Sequence, residues 1–250
     1  MKKMALAAVF MAAVPVAQAD LFFTVGAKAS VWNAEPTGQL DKNLSVEKDG
    51  LNLDSDNGSQ LTVFFEHPLP LIPNAKIKQT RLELDGKGTI NASFAGQTFD
   101  EDVRTVADLS HTDLTLYWGL PIPLPYISAD FGLSVRQFDG EASVTGTGDN
   151  AGRKAVDLDM VLPLAYGAIK IGSPFGIYAA ADVNYIGFGK NTLTDMSATI
   201  GYDLPIPIVD VALEAGYRSM SLQTDKKDVD IDADFDTKGV FFGASLSVGF

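Results

Sequence analysis

Cysteine is absent from the 250 residues. That excludes disulfides, thiolate metal centres and a lipoprotein anchor. Histidine occurs only at His67 and His111, so side chains that carry protons at neutral pH without a large shift are scarce. Bases are also short, with 19 Lys and Arg against 32 Asp and Glu and a net charge of −13. Phosphate binding needs a basic footprint, so a nucleic-acid partner is disfavoured. Beyond Val16 no apolar run reaches the ~18 residues of a transmembrane helix. There is no glycine-rich phosphate loop, paired-histidine metal motif or nucleophile elbow, and no cofactor is expected.

The N-terminus reads as an export signal. Lys2 and Lys3 give a basic start, Met4 to Val16 is apolar, and Ala17-Gln18-Ala19 supplies a small-x-small cleavage site. The apolar run is too short to span a bilayer as a helix. The expected organisation is a signal peptide over 1–19 and one domain over 20–250.

The composition is 46% hydrophobic, so the apolar residues must be distributed in some pattern other than a helix. They alternate. Val240, Phe242, Ala244, Leu246, Val248 and Phe250 share one face, opposite Phe241, Gly243, Ser245, Ser247 and Gly249. Leu21, Phe23, Val25, Ala27, Ala29 and Val31 do the same near the other end. Period two is the strand period. Several alternating segments approach the roughly nine to eleven residues of a membrane strand.

Connections come in two alternating kinds. Pro68 to Asn74, Pro121 to Pro125, Gly172 to Pro174 and Pro205 to Pro207 are short and proline-rich. Asn33 to Gly58, Asn91 to Asp108, Asp139 to Arg153 and Gln223 to Thr237 are longer and acidic, with a short member near Gly189 to Asn191. This predicts an all-β, closed antiparallel transmembrane barrel. Ten strands are expected, over 21–32, 59–68, 75–90, 108–120, 125–138, 154–171, 175–188, 192–204, 208–222 and 238–250. Eight strands is the alternative if a hairpin projects from the wall. A soluble periplasmic β-sandwich binding protein is the other fold with such alternation. Pro163 requires a bulge or local break in the sixth strand. Trp118, Tyr126, Phe175, Tyr202 and Phe250 are expected in a girdle near the short turns, and Trp32, Phe94, Phe138, Phe188 and Tyr217 in one near the loops.

Phe242, Leu246, Val248 and Phe250 resemble the C-terminal assembly signal of Gram-negative outer-membrane proteins. The chain from Asp20 to Phe250 resembles a family of small outer-membrane β-barrel proteins without an assigned activity. The resemblance implies outer-membrane location, contact with its lipid and lipopolysaccharide, and recognition by the barrel-assembly machinery. It brings no catalytic motif, and nothing in the sequence sets an oligomeric state.

The charged residues expected to face the lumen are Lys28, Glu66, Arg81, Glu83, Asp85, Asp113, Asp130, Arg136, Asp157, Asp159, Asp182, Glu214 and Arg218. In a narrow barrel such charges pair and fill the interior. If a path stays open, their acid excess predicts cation preference. The expected role is therefore structural, or that of a narrow passive pore for small solutes, and not enzymatic. The alternative is a surface hydrolase in which Asp113 orients His111, although Ser110 falls on the opposite face of a regular strand. Asp54, Asp56 and Gly58 miss the spacing of an EF-hand loop. The alternating carboxylates from Asp228 to Asp236 read as a solvated hairpin extension, and no metal site is assigned.

Overall fold

A computed structural model describes residues 23–41, 44–148, 152–224 and 233–250. The export signal and Asp228, Asp230 and Asp232 lie outside the described residues. In chain order the strands are β1 (Thr24–Asp41), β2 (Leu44–Ser45), β3 (Asp56–Glu66), β4 (Asn74–Arg81), β5 (Glu83–Phe94), β6 (Gln97–Asp108), β7 (His111–Gly119) and β8 (Ile127–Phe138). They continue as β9 (Glu141–Gly146), β10 (Arg153–Asp157), β11 (Val161–Ile171), β12 (Ile177–Phe188), β13 (Asn191–Leu204), β14 (Asp210–Gln223) and β15 (Asp234–Gly249).

Ten of them close into an antiparallel barrel in the order β15-β14-β13-β12-β11-β8-β7-β4-β3-β1, sealed by β1 against β15. The closing ladder runs from Thr24 opposite Gly249 to Gln39 opposite Asp234. Phe23 and Phe250 exchange both backbone hydrogen bonds at 2.9 Å. Closure pairs the edges that an open sheet would leave bare, and it replaces the eight-stranded and sandwich alternatives. The four proline-rich turns lie at one end of the barrel and the longer connections at the other.

The alternation has a simple outcome in the wall. In β1, Val25, Ala27, Ala29 and Val31 point out, while Thr24, Gly26, Lys28 and Ser30 point in. Leu133, Ile200 and Phe242 are each about two-thirds exposed on the outer face. An apolar belt around the wall is the surface of a barrel solvated by hydrocarbon. At the short-turn end, Phe23 stacks on Phe65 at 5.7 Å and Trp118 on Phe131 at 5.9 Å. The other predicted girdle is corrected in part. Phe188 and Tyr217 are outside, but Trp32, Phe94 and Phe138 are buried inside.

The long connections hold the main departure from expectation. Residues 91–108 and 139–153, read as loops, contain β6 and β9. With β5 and β10 these form a second sheet, in the order β10-β9-β6-β5, standing on the barrel's long-loop end. The ribbon β4–β7 becomes the ribbon β5–β6 at Leu82 and Leu109, whose backbones are joined by a 2.8 Å bond from Leu109 N–H to the Leu82 carbonyl. The segment after β2 folds against this sheet through a bridge between Leu53 and Gly86. Leu44, Val46, Leu51, Leu84, Phe94, Phe99, Val103 and Val144 are buried together, and their core is continuous with Trp32, Leu193 and Met220 at the barrel mouth. We call this second layer the cap.

The Pro163 prediction resolves locally. β11 pairs with β8 through Pro163, opposite Val135, without a register shift. Its ladder to β12 stops at Ala165 opposite Tyr185. The missing N–H therefore lies where β11 has already separated from β12, and no bulge is needed there.

Candidate functional site

Inward positions of neighbouring strands are brought level by the register. Lys78 on β4 lies opposite Asp113 on β7, which lies opposite Arg136 on β8. One row nearer the cap, Thr80, His111 and Phe138 are level. Asp195 on β13 and Arg218 on β14 approach from the facing wall.

These groups meet in the middle. Arg136 donates to both oxygens of Asp113, at 2.7 and 2.9 Å, and to Asp195 Oδ2 at 2.5 Å. Arg218 donates to both oxygens of Asp195, at 2.8 and 2.7 Å. It also reaches Thr80 Oγ1 and His111 Nε2, each at 3.3 Å. His111 Nδ1 lies 2.7 Å from the Leu109 carbonyl, which only accepts, so Nδ1 carries the proton and Nε2 accepts from Arg218. Arg136 and Arg218 are 0% and 1% exposed.

Several of these bonds are chords across the lumen. β11 and β12 separate β8 from β13 in the wall, while β15, β1 and β3 separate β14 from β4. Arg136–Asp195 and Arg218–Thr80 therefore brace opposite sides of the barrel. Above them Trp32 covers the Arg218 guanidinium at 4.6 Å, Phe138 lies 5.8 Å from that of Arg136, and Met220 Sδ takes a contact from Arg136 at 3.6 Å. The two arginines pair with the two aspartates, with Lys78 beside Asp113 as a further base, and the bidentate geometry offsets the desolvation of burying them.

Toward the short turns the lining is polar and aromatic. The Tyr117 hydroxyl donates to Glu66 and that of Tyr178 to Glu214, each at 2.7 Å. Lys28 pairs with Glu214. The ammonium of Lys76 stands 3.9 Å from the Tyr166 ring, and that of Lys170 stands 3.8 Å from Tyr178. Ser197 donates to Asp182 at 2.6 Å.

The structure thus places Lys28, Glu66, Asp113, Asp130, Arg136, Asp182, Glu214 and Arg218 on inward positions of the barrel. Five assignments are corrected. Arg81 shares the outward parity of Ile77 and lies on the outer wall. Glu83, Asp85 and Asp157 belong to cap strands, and exposed Asp159 follows β10. Their alternation is real, but it is that of a sheet with one dry and one wet face: the buried parity runs on unbroken through Thr80, Leu82 and Leu84, and from Leu82 onward it carries apolar residues instead of polar ones. Lys76, Lys78 and Asp195 were missed. The outward Ile77 between two lysines, and Met196 beside Asp195, were the available signals. The expected His111–Asp113 orientation does not form either. Asp113 is held by Arg136, and the Ser110 hydroxyl accepts from the Leu82 N–H at 3.2 Å.

Among the described residues, His111, Asp113 and Asp195 bring ligand atoms within 4.8 Å of one another. A cation there would have to displace guanidinium groups from both carboxylates and sit beside two positive charges. The donor set fits arginine better than a metal ion.

No known protein family matches this chain, and no curated protein does. Among solved structures, the outer membrane protease OmpT from Escherichia coli aligns with a TM-score of 0.40 and 10% identity, over 91% of this chain and 97% of that one. The CymD monoaromatic hydrocarbon channel aligns with a TM-score of 0.31 and 10% identity, over 93% and 90%. The outer-membrane expressed OmpT of Vibrio cholerae aligns with a TM-score of 0.25 and 10% identity, over 90% and 96%.

Proposed function

We propose that this protein is an outer-membrane barrel with a sealed lumen, whose role is structural: it holds a folded acidic cap at the cell surface. The short proline turns face the periplasm and the cap faces outward, as in barrels with short periplasmic turns and longer external loops. The apolar belt supports the membrane setting. The observation that carries the closed reading is the buried Arg136–Asp195–Arg218 brace, roofed by Trp32 and the cap core. An ion crossing this level would have to break charge-assisted bonds in a dry environment, which favours a plug over a passive pore. Location also implies contact with lipid and, during biogenesis, recognition of Phe250 by the assembly machinery.

The test is planar-bilayer recording of the refolded full chain, with the Arg136→Ala/Arg218→Ala double variant alongside. The closed reading expects no resolvable steps from the wild type and discrete conductance from the variant. Steady wild-type channels would overturn it.

A further inference from the structure

The apolar wall is not equally tall all round. On β15 every outward residue from Val240 to Phe250 is apolar, and polar Lys238 lies above them. At a strand rise of ~3.3 Å and a tilt of ~40° that run is about 25 Å high, which matches the apolar band of an outer-membrane barrel. Across the barrel, Gln79, Thr112 and Gln137 are level on β4, β7 and β8, and all three are exposed on the outer face. Below this polar row the outward residues are apolar, but β4 reaches only to Asn74 and β7 to Gly119. The same rise and tilt give about 13–18 Å of apolar wall there, several ångströms short of the band.

The two longest of the four proline turns stand at the foot of this short wall, joining β3 to β4 and β7 to β8. Neither 68–73 nor 120–126 holds a charged residue. Leu71 is 90% and Leu124 56% exposed, and Leu69, Ile72 and Leu120 are about half exposed. Through Leu116 and Trp118 this apolar surface is continuous with the lipid-facing wall. The turn backbones are also short of donors. Pro68, Pro70, Pro73, Pro121, Pro123 and Pro125 have no N–H. The Leu69 N–H donates to His67 Nδ1 at 3.2 Å, so His67 Nε2 carries the proton and donates to the Pro73 carbonyl at 3.2 Å. The Ile122 N–H donates to the Leu120 carbonyl at 2.8 Å. Water satisfies a free N–H without cost, whereas hydrocarbon leaves it unpaired. A turn with bare leucines and few free donors is therefore suited to hydrocarbon.

We propose that these two turns do not stand in the aqueous periplasm, as connections at this end of a barrel ordinarily would. They insert among the acyl chains of the periplasmic leaflet and supply the height that β4, β7 and β8 lack. The inference rests on the outer-membrane reading and alters where the short side of the barrel ends. The test is power-saturation electron paramagnetic resonance of the full chain refolded in phosphatidylethanolamine–phosphatidylglycerol vesicles. Because the chain has no cysteine, single nitroxides can be attached through Leu71→Cys and Leu124→Cys in the turns, Leu133→Cys on the outer wall and Glu47→Cys on the exposed segment after β2. Heat-modifiable gel mobility is recorded for each. The expected result is that both turn labels match the wall label, with relative access to oxygen over a water-soluble nickel chelate severalfold above that of the Glu47→Cys label. Turn labels that match Glu47→Cys, as for a rim in water and open to a soluble partner, would overturn the insertion, while an oxygen-exposed Leu133→Cys label leaves the barrel reading intact. Nickel access at Leu133→Cys would instead defeat the barrel reading on which the insertion depends.

Discussion

Arg136 holds two carboxylates that belong to different walls of the barrel. Removing it leaves Asp195 with Arg218 alone and Asp113 buried without a guanidinium, and breaking a buried pair from one side costs roughly 3–5 kcal/mol. Arg136→Met should therefore lower the urea midpoint of protein refolded in lipid vesicles by that equivalent. A change below about 1 kcal/mol would mean the brace is incidental, as exposed ion pairs are. His111 plays a smaller part, bridging the Leu109 carbonyl and Arg218 through a neutral ring. His111→Leu forfeits both contacts and should cost roughly 1–3 kcal/mol in the same assay. Because Asp113 does not orient it, replacing His111 should not abolish any lipid- or peptide-hydrolysing activity; loss of such an activity would revive the hydrolase alternative.

The cap is the element that periodicity alone placed wrongly. Asp100, Asp102 and Arg104 made residues 91–108 look like a solvated loop. They are the wet face of β6, whose dry face is Phe99, Val103 and Ala107. A barrel strand hides its polar residues inside and a cap strand hides its apolar ones, yet both alternate with the same period. Only the change of sign at Leu82 separates them, and one buried leucine in a continuous ribbon gives little warning. The barrel wall was legible because proline turns punctuate it at one end and apolar alternation runs unbroken between them. Phe99 is buried among the cap strands, at the part of the shared core farthest from the wall ladders, so Phe99→Ala should cost roughly 3–5 kcal/mol locally. Limited proteolysis should then cut within 83–108 while the barrel keeps its heat-modifiable mobility. Simultaneous loss of both would show that cap and barrel fold as one unit.

At the scale of the whole molecule, β13, β14, β15 and β1 form a tall side with long ladders, and β3, β4 and β7 a short side extended by the cap. The candidate site was only half legible. The sequence supplied the inward arginines and Asp113, but not which facing strand would meet them, because ladder register carries no signature of contacts across a lumen. Asp195 gains its meaning only when the sheet closes. Closure also explains Phe250, whose backbone pairs with Phe23 and whose ring lies 6.4 Å from it. Deleting Phe250 should reduce the assembled, heat-modifiable fraction in cell envelopes severalfold, measured by gel mobility; an unchanged fraction would remove it from the assembly step. The central claim is that the closed wall encloses no path. Planar-bilayer recording of the wild-type protein at varied voltage and salt tests it most directly. A sealed barrel gives a flat baseline, and a sustained, cation-selective current would contradict it.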